Sequence, residues 1–243
     1  MNIPPHKILA LALVLAFGHA PAHALTGPAQ KGSPAENSVL MLLNERGFCT
    51  ANVLSQTVLL TAAHCVHKIK SAAAYWTGAQ PDSLITAKNI AIHPGYRPDA
   101  PKTRERSVDL ALVQLERPLP ARFKPLVIDY DARVEAGTAF TISGFGLSDE
   151  KDGKTGGVLR SAILVTREPL SKLLIWAKDP DNRGTGGCTG DSGGPFLSAD
   201  GKIVGVTVWS QGPGNKACGE LTQALRLGPE RDFIEKTMSN WSR

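Results

Sequence analysis

Gly190-Asp191-Ser192-Gly193-Gly194-Pro195 is the stretch from which the rest of this chain can be read. A serine that acts as a nucleophile needs an exposed hydroxyl, a base beside it and hydrogen-bond donors aimed at the oxyanion it generates. Ser192 offers the hydroxyl. The backbone N–H groups of Gly190 and Ser192 can converge on one point if no side chain crowds Gly190. Gly193 and Gly194 permit a tight bend, and Pro195 stops a helix from running on. An ordinary Gly/Pro connection between strands has a similar composition, so the rest of the machinery has to be found elsewhere.

It lies upstream. Thr61-Ala62-Ala63-His64-Cys65 places a histidine after an apolar run, and Asp109 opens the apolar run Leu110-Ala111-Leu112. The order His64, Asp109, Ser192, with the first two 45 positions apart, resembles that of the chymotrypsin/trypsin-like serine proteases. The matching motifs are TAAHC at 61–65, DLALVQL at 109–115, ISGFG at 142–146 and GDSGGP at 190–195. An imidazole titrates near neutrality, so His64 can take the Ser192 proton and return it to a leaving amine. Asp109 then holds the imidazole tautomer. A buried structural histidine is the bland alternative for His64, and it leaves the other motifs unexplained. His67 and His93 have no such company and read as surface or packing residues.

The first residues read as an export leader: Lys7, an apolar run from Ile8 to Phe17, then Ala22-His23-Ala24 as a small-x-small cleavage pattern. The run is shorter than the roughly 20 residues of a membrane span. A cut after Ala24 makes residues 1–24 a signal peptide, and a cut after Ala22 fits almost as well. The expectation is a secreted or periplasmic protein, without membrane attachment once the leader is gone, and monomeric. The formal charge of +5 over 243 residues is mild and dispersed, so nucleic acid is not an expected partner. The densest basic patch, Lys102, Arg104 and Arg106, is interrupted by Glu105 and reads as a solvated loop.

The body is read as mostly β. Apolar, β-branched runs recur at Val39–Leu43, Val53–Leu60, Ile85–Ile92, Leu110–Leu115, Ala139–Ile142, Val158–Val165 and Ile203–Trp209, separated by turn-formers such as Pro94-Gly95 and Gly212-Pro213-Gly214. Arg231–Met238 is the one helix read, with Phe233, Ile234 and Met238 able to share a face and Pro229 near its start. Periodicity alone says all-β. The resemblance implies two six-stranded antiparallel barrels with the active site in the cleft between them. The first half spans 25–130, and the second, with the terminal helix, spans 131–243.

Four cysteines in an exported chain imply disulfides, for which three pairings exist. The resemblance implies Cys49–Cys65 and Cys188–Cys218. A metal site is a poor alternative without a C-x-x-C pair, and no metal or cofactor is expected. By the same resemblance the specificity pocket has Gly186 as its floor. Its walls are Gly187, Thr189, Val208, Trp209 and Ser210, with Gly219 opposite. Glycine at the floor provides no counter-charge, so cleavage after uncharged, mainly apolar side chains is expected, whereas a one-residue shift after Cys218 would turn Glu220 into the pocket and admit basic ones. The family is switched on when a new α-amino group pairs with the aspartate before the catalytic serine, which implies Leu25 as the mature start and partner of Asp191. Val208 stands where the family usually has serine, Phe145 where it has tryptophan, and Thr50-Ala51 where it has Gly-Gly. The function implied is a serine endopeptidase acting on polypeptides through an acyl-enzyme, with protein inhibitors as further partners. The rival is a catalytically idle homologue that serves as a binding protein, and ester hydrolysis is a conceivable side activity.

Overall fold

The computed structural model describes residues 25–77 and 83–242; the expected signal peptide, residues 1–24, lies outside them. The first barrel is built from β2 (Val39–Asn44), β3 (Gly47–Val53), β4 (Val58–Thr61), β5 (Ala72–Tyr75), β6 (Leu84–Ile92) and β7 (Ala111–Leu115). They close in the order β2-β3-β4-β7-β6-β5, with every pair antiparallel. The second barrel uses β8 (Ala139–Gly144), β9 (Arg160–Thr166), β10 (Leu174–Lys178), β11 (Pro195–Leu197), β12 (Ile203–Gln211) and β13 (Leu221–Arg226). It closes through the β8–β9 pair, and β1 (Gln30–Lys31) is an extra edge on β9. The architecture is the expected pair of six-stranded barrels.

Local reasons account for most of these strands. β2 buries Val39 through Leu42 in succession, and β4 buries all four of its residues, which selects apolar runs over simple alternation. The single strand expected over Val53–Leu60 is instead the end of β3, a reversal and β4. Ser55, Gln56 and Thr57 make the turn: the Ser55 and Val58 backbones bond each other, and Ser55 Oγ accepts the Thr57 N–H at 3.2 Å. Hydroxyls that offer the backbone a local partner favour turns over ladders.

Strands β1, β5, β10, β11 and β13, and all of β3 before Val53, were not read from sequence. Ala72-Ala73-Ala74-Tyr75 and Leu221–Arg226 have weak strand propensity. They are extended because neighbours on both sides pair with them, a case of tertiary context overriding propensity. The terminal helix α2 (Arg231–Trp241) is longer than expected, and Pro229 lies in a short 3₁₀ turn, Gly228–Glu230, that leads into it. A second, one-turn helix, α1 (Ala100–Thr103), sits in the loop before β7. No described helix is long and apolar enough to cross a membrane.

Candidate active site

The β4–β7 pairing assembles the base. Thr61 faces Ala111 across the ladder. The 3₁₀ turn Ala63–Cys65 follows β4 and Asp109 precedes β7, so His64 and Asp109 emerge at the same end of the barrel. The Asp109 carboxylate grips His64 twice: Oδ1 accepts the His64 backbone N–H at 2.8 Å, and Oδ2 lies 2.7 Å from Nδ1. With Nδ1 donating to the carboxylate, Nε2 is left as the basic nitrogen. The missing serine at Val208 therefore does not leave Asp109 loose. Tyr96, not singled out in the sequence, packs nearby, and its phenol is pushed up to about 12 by burial and then by the Asp109 charge, so it stays neutral. The Cys49–Cys65 disulfide ties the histidine turn to β3, and Cys188–Cys218 is the second bridge. Both pairings are as the resemblance implied.

Ser192 lines the same cleft as His64 and Asp109, a cavity of about 710 Å³. What surrounds the serine decides where the neighbouring N–H groups point. A trans peptide holds its C=O and N–H on opposite sides, so a pinned carbonyl aims the following N–H. The Thr189 carbonyl accepts the Leu147 N–H at 2.8 Å, and the Asp191 carbonyl accepts the Gly194 N–H at 2.9 Å. These two bonds aim the N–H groups of Gly190 and Ser192 the other way. The adjoining carbonyls are also held. Gly190 O accepts from Thr50 Oγ1 at 2.9 Å, Ser192 O from the Thr50 N–H at 2.8 Å, and Gly193 O from Asn52 Nδ2 at 2.7 Å. Within the loop, the N–H groups of Asp191 and Gly193 are spent on Cys188 O and Thr207 O. Those of Gly190 and Ser192 donate to nothing among the described residues. They are the two donors proposed from the sequence. Gly190 has φ of +99°, and a Cβ there would collide with the Phe48 ring, which is why that position must be glycine.

Asp191 is 1% exposed. Its carboxylate accepts N–H groups from Gly146 at 2.8 Å and Cys188 at 2.9 Å. A Cβ on Gly146 would occupy the space of this carboxylate, which gives the second glycine of ISGFG its reason. Burial pushes the acid up to about 7, against the pull of those two donors and of Arg160. Arg160 is also 1% exposed and pairs with Gly144 across the β8–β9 ladder. It is an interior cation near Asp191 that sequence reading missed, because in sequence it is one arginine among many. Leu25 is seated as well: it is 1% exposed in the core of the second barrel, and Thr26 donates its N–H to Gly186 O at 3.0 Å.

The expected pocket residues divide into two groups. Thr189, Val208, Trp209 and Ser210 line the cleft. Gly186, Gly187 and Gly219 are buried and pack against one another and Thr222 instead. Thr222 Oγ1 accepts the Gly187 N–H at 2.8 Å, and Gly219 donates to Gly187 O at 3.3 Å. Thr222 was unreadable in advance because its place depends on the β12–β13 register, which sets it opposite Ser210. Glu220 faces solvent and pairs with Lys178 at 3.0 Å, so the shifted alignment is not the one observed.

A family model described as Trypsin matches residues 27–224. A trypsin of Simulium vittatum is 30% identical over 205 residues, covering 74% of this chain and 78% of its own length. Fibrinolytic enzyme isozyme C of Lumbricus rubellus is 29% identical, over 70% of this chain and 79% of its own. Among solved structures, mouse-brain neuropsin, a serine protease, superimposes with a TM-score of 0.71 at 22% identity, covering 87% of this chain and 99% of that one. HL collagenase gives 0.70 at 21% identity, covering 87% and 98%.

Proposed function

Because this chain belongs to the trypsin family of serine-type endopeptidases, we propose that it is an active, exported enzyme that cleaves polypeptides after small to medium uncharged side chains. The observation that carries the reading is the loop at 189–193, whose carbonyls are all bonded while the N–H groups of Gly190 and Ser192 stay turned to the cleft. In this reading His64 Nε2 takes the Ser192 proton as Oγ attacks the substrate carbonyl. The oxyanion is met by the two N–H groups, and the imidazolium returns the proton to the leaving amine. Water then repeats the sequence to release the acyl group. Extended substrate runs beside the Val208–Ser210 backbone, as in strand addition.

The selectivity rests on the pocket. None of the expected pocket residues that line the cleft, Thr189, Val208, Trp209 and Ser210, carries a charge, and Glu220 is spent on Lys178; of the acids that line the wider cleft, Glu105 and Asp109, the second is held by His64. A cationic side chain would lose its hydration there without a partner. Thr222 beside Gly186 and Gly187 takes up depth that a large side chain would need. Export rests on the leader and on the seating of Leu25, which has φ of +54°. That left-handed conformation is strained for leucine, and a cut after Ala24 removes the constraint while freeing an ammonium that can join Arg160 in meeting the Asp191 charge.

One set of measurements tests the proposal. A fluorophosphonate should label the protein at Ser192 and spare Ser192→Ala. A peptide library should show cleavage after residues such as Ala, Val or Thr. N-terminal sequencing of exported protein should begin at Leu25. Absence of labelling would favour the idle, binding homologue; dominant cleavage after Lys or Arg would overturn the pocket assignment; another terminus would overturn the leader cut.

A further inference from the structure

Thr50 departs from the family pattern, and its surroundings give the departure a use. It is completely buried in β3 of the first barrel, yet it faces the serine loop of the second. Its hydroxyl has one proton to donate, and here it both donates and accepts. Oγ1 donates to the Gly190 carbonyl at 2.9 Å and accepts the Phe145 N–H at 3.1 Å. Phe145 begins a run of three N–H groups directed at this loop: its own to Thr50 Oγ1, that of Gly146 to Asp191 Oδ1 and that of Leu147 to Thr189 O. The Leu147 bond aims the Gly190 N–H at the cleft. The Thr50 hydroxyl is therefore the node that joins this run to the other face of Gly190, and the backbone N–H of Thr50 pins Ser192 O besides.

We propose that the Thr50 hydroxyl is a positioning group for the oxyanion hole, acting across the barrel interface to hold Gly190 with its N–H in the cleft. Removing the hydroxyl leaves two buried backbone groups, Phe145 N–H and Gly190 C=O, without their partner at once, and such groups are costly to leave unmade. The Phe48 ring blocks one side of Gly190. Without the hydroxyl the 190–191 peptide loses its pin and the Phe145–Leu147 run loses its anchor, and because the Leu147 N–H of that run holds Thr189 O, its displacement turns the 189–190 peptide and carries the Gly190 N–H off its aim. The loss falls on the transition state, where the oxyanion exists, more than on the bound substrate.

The proposal rests on the serine-peptidase reading, and its test separates the two. Full-length protein and the variants Thr50→Val, Thr50→Ala and Thr50→Ser are titrated with a fluorophosphonate, so that rates are expressed per labelled site. Loss of one oxyanion donor costs on the order of 100-fold or more in kcat, so misplacing one should cost about 10-fold or more. For Thr50→Val we expect kcat on a peptide amide to fall by that amount with KM within about 3-fold. Affinity for a peptide aldehyde, whose adduct carries the oxyanion, should fall in parallel. Thr50→Ser, which keeps the hydroxyl, should stay within about 3-fold of the parent. If Thr50→Val does not fold, Thr50→Ala, which introduces no added bulk, is read the same way. Parental kcat per labelled site in a hydroxyl-free variant would overturn the proposal, as would equal losses in Thr50→Ser and Thr50→Val. A parent that takes no label overturns the peptidase reading instead.

Discussion

Asp191 carries opposing demands. It must accept two backbone N–H groups to shape the serine loop, yet it lies where water does not reach. Burial raises its pKa to about 7, from an ordinary value of 3.8. A group whose folded pKa lies above its unfolded one contributes stability that is complete below the unfolded value and is lost as pH rises through the folded one. In the uncut chain, which has no Leu25 ammonium, Asp191 alone should therefore make the protein lose stability between about pH 4 and 7. Asp191→Asn, which keeps an acceptor oxygen and cannot ionise, should remove that dependence. Thermal melts of both proteins at pH 5 and 8 check this: the wild-type difference should shrink in the variant, and an unchanged difference would assign the dependence to other groups. Arg160 limits the cost of the charge from inside the barrel. Its own pKa is lowered by burial, while Asp191 pulls the other way.

At the scale of elements, the segment after β10 shows how one carboxylate organises a loop. Asp179, 3% exposed, accepts backbone N–H groups from Asp181 at 3.1 Å, Arg183 at 3.0 Å and Thr185 at 3.2 Å. Burial pushes this acid up, but the hydrogen bonds of the loop outweigh it and hold the pKa below the usual 3.8. The loop leads directly into Gly186 and Gly187, so its order is inherited by the pocket. Asp179→Asn should cost about 1–3 kcal/mol at neutral pH, the scale for disturbing a buried charge-assisted cluster. Denaturant titration should find it, with faster amide exchange at Arg183 and Thr185. The sign is opposite to that of Asp191: a depressed carboxylate stabilises above its unfolded pKa and stops doing so as pH falls through its folded one. The gap between variant and parent should narrow below pH 3.8.

For the molecule as a whole, the two barrels are not independent. Helix α2 follows the second barrel in sequence but packs against the first. Ile234 is fully buried in a core cluster that takes in the first barrel and residues of the second such as Val206 and Leu225, Phe233 stacks edge-on against His93, and Gln114 Nε2 of β7 donates to Trp241 O at 3.2 Å. His93 Nε2 also meets Glu230 Oε2 at 3.1 Å. The C-terminal end is thus a strap across the barrel that presents His64 and Asp109. Ile234→Ala should destabilise the protein by about 2–5 kcal/mol, the usual range for emptying a buried isoleucine site. Because Ile234 is not among the residues that line the cleft, kcat per labelled site should be unchanged. A chemical denaturation curve with one transition at lower midpoint is the expected result, whereas two separated transitions would mean that the barrels unfold independently.

His64, Asp109, Ser192 and Gly190 were legible as candidates because each belongs to a short contiguous motif with a stated chemical demand, whereas the two disulfide pairings were implied by the family resemblance, since four cysteines alone allow three. A hydroxyl nucleophile needs a base and donors. The all-β character was legible for a similar reason, since alternation and turn-formers are local. Tertiary structure alone decided the rest. Leu221–Arg226 is a strand because its neighbours pair with it, and Thr222 reaches the pocket glycines because the register of that strand sets it there. Arg160, Thr50 and Asn52 act on the serine loop from other strands, two of them from the other barrel. Their value lies in distances between residues far apart in sequence, and no local pattern encodes such a distance.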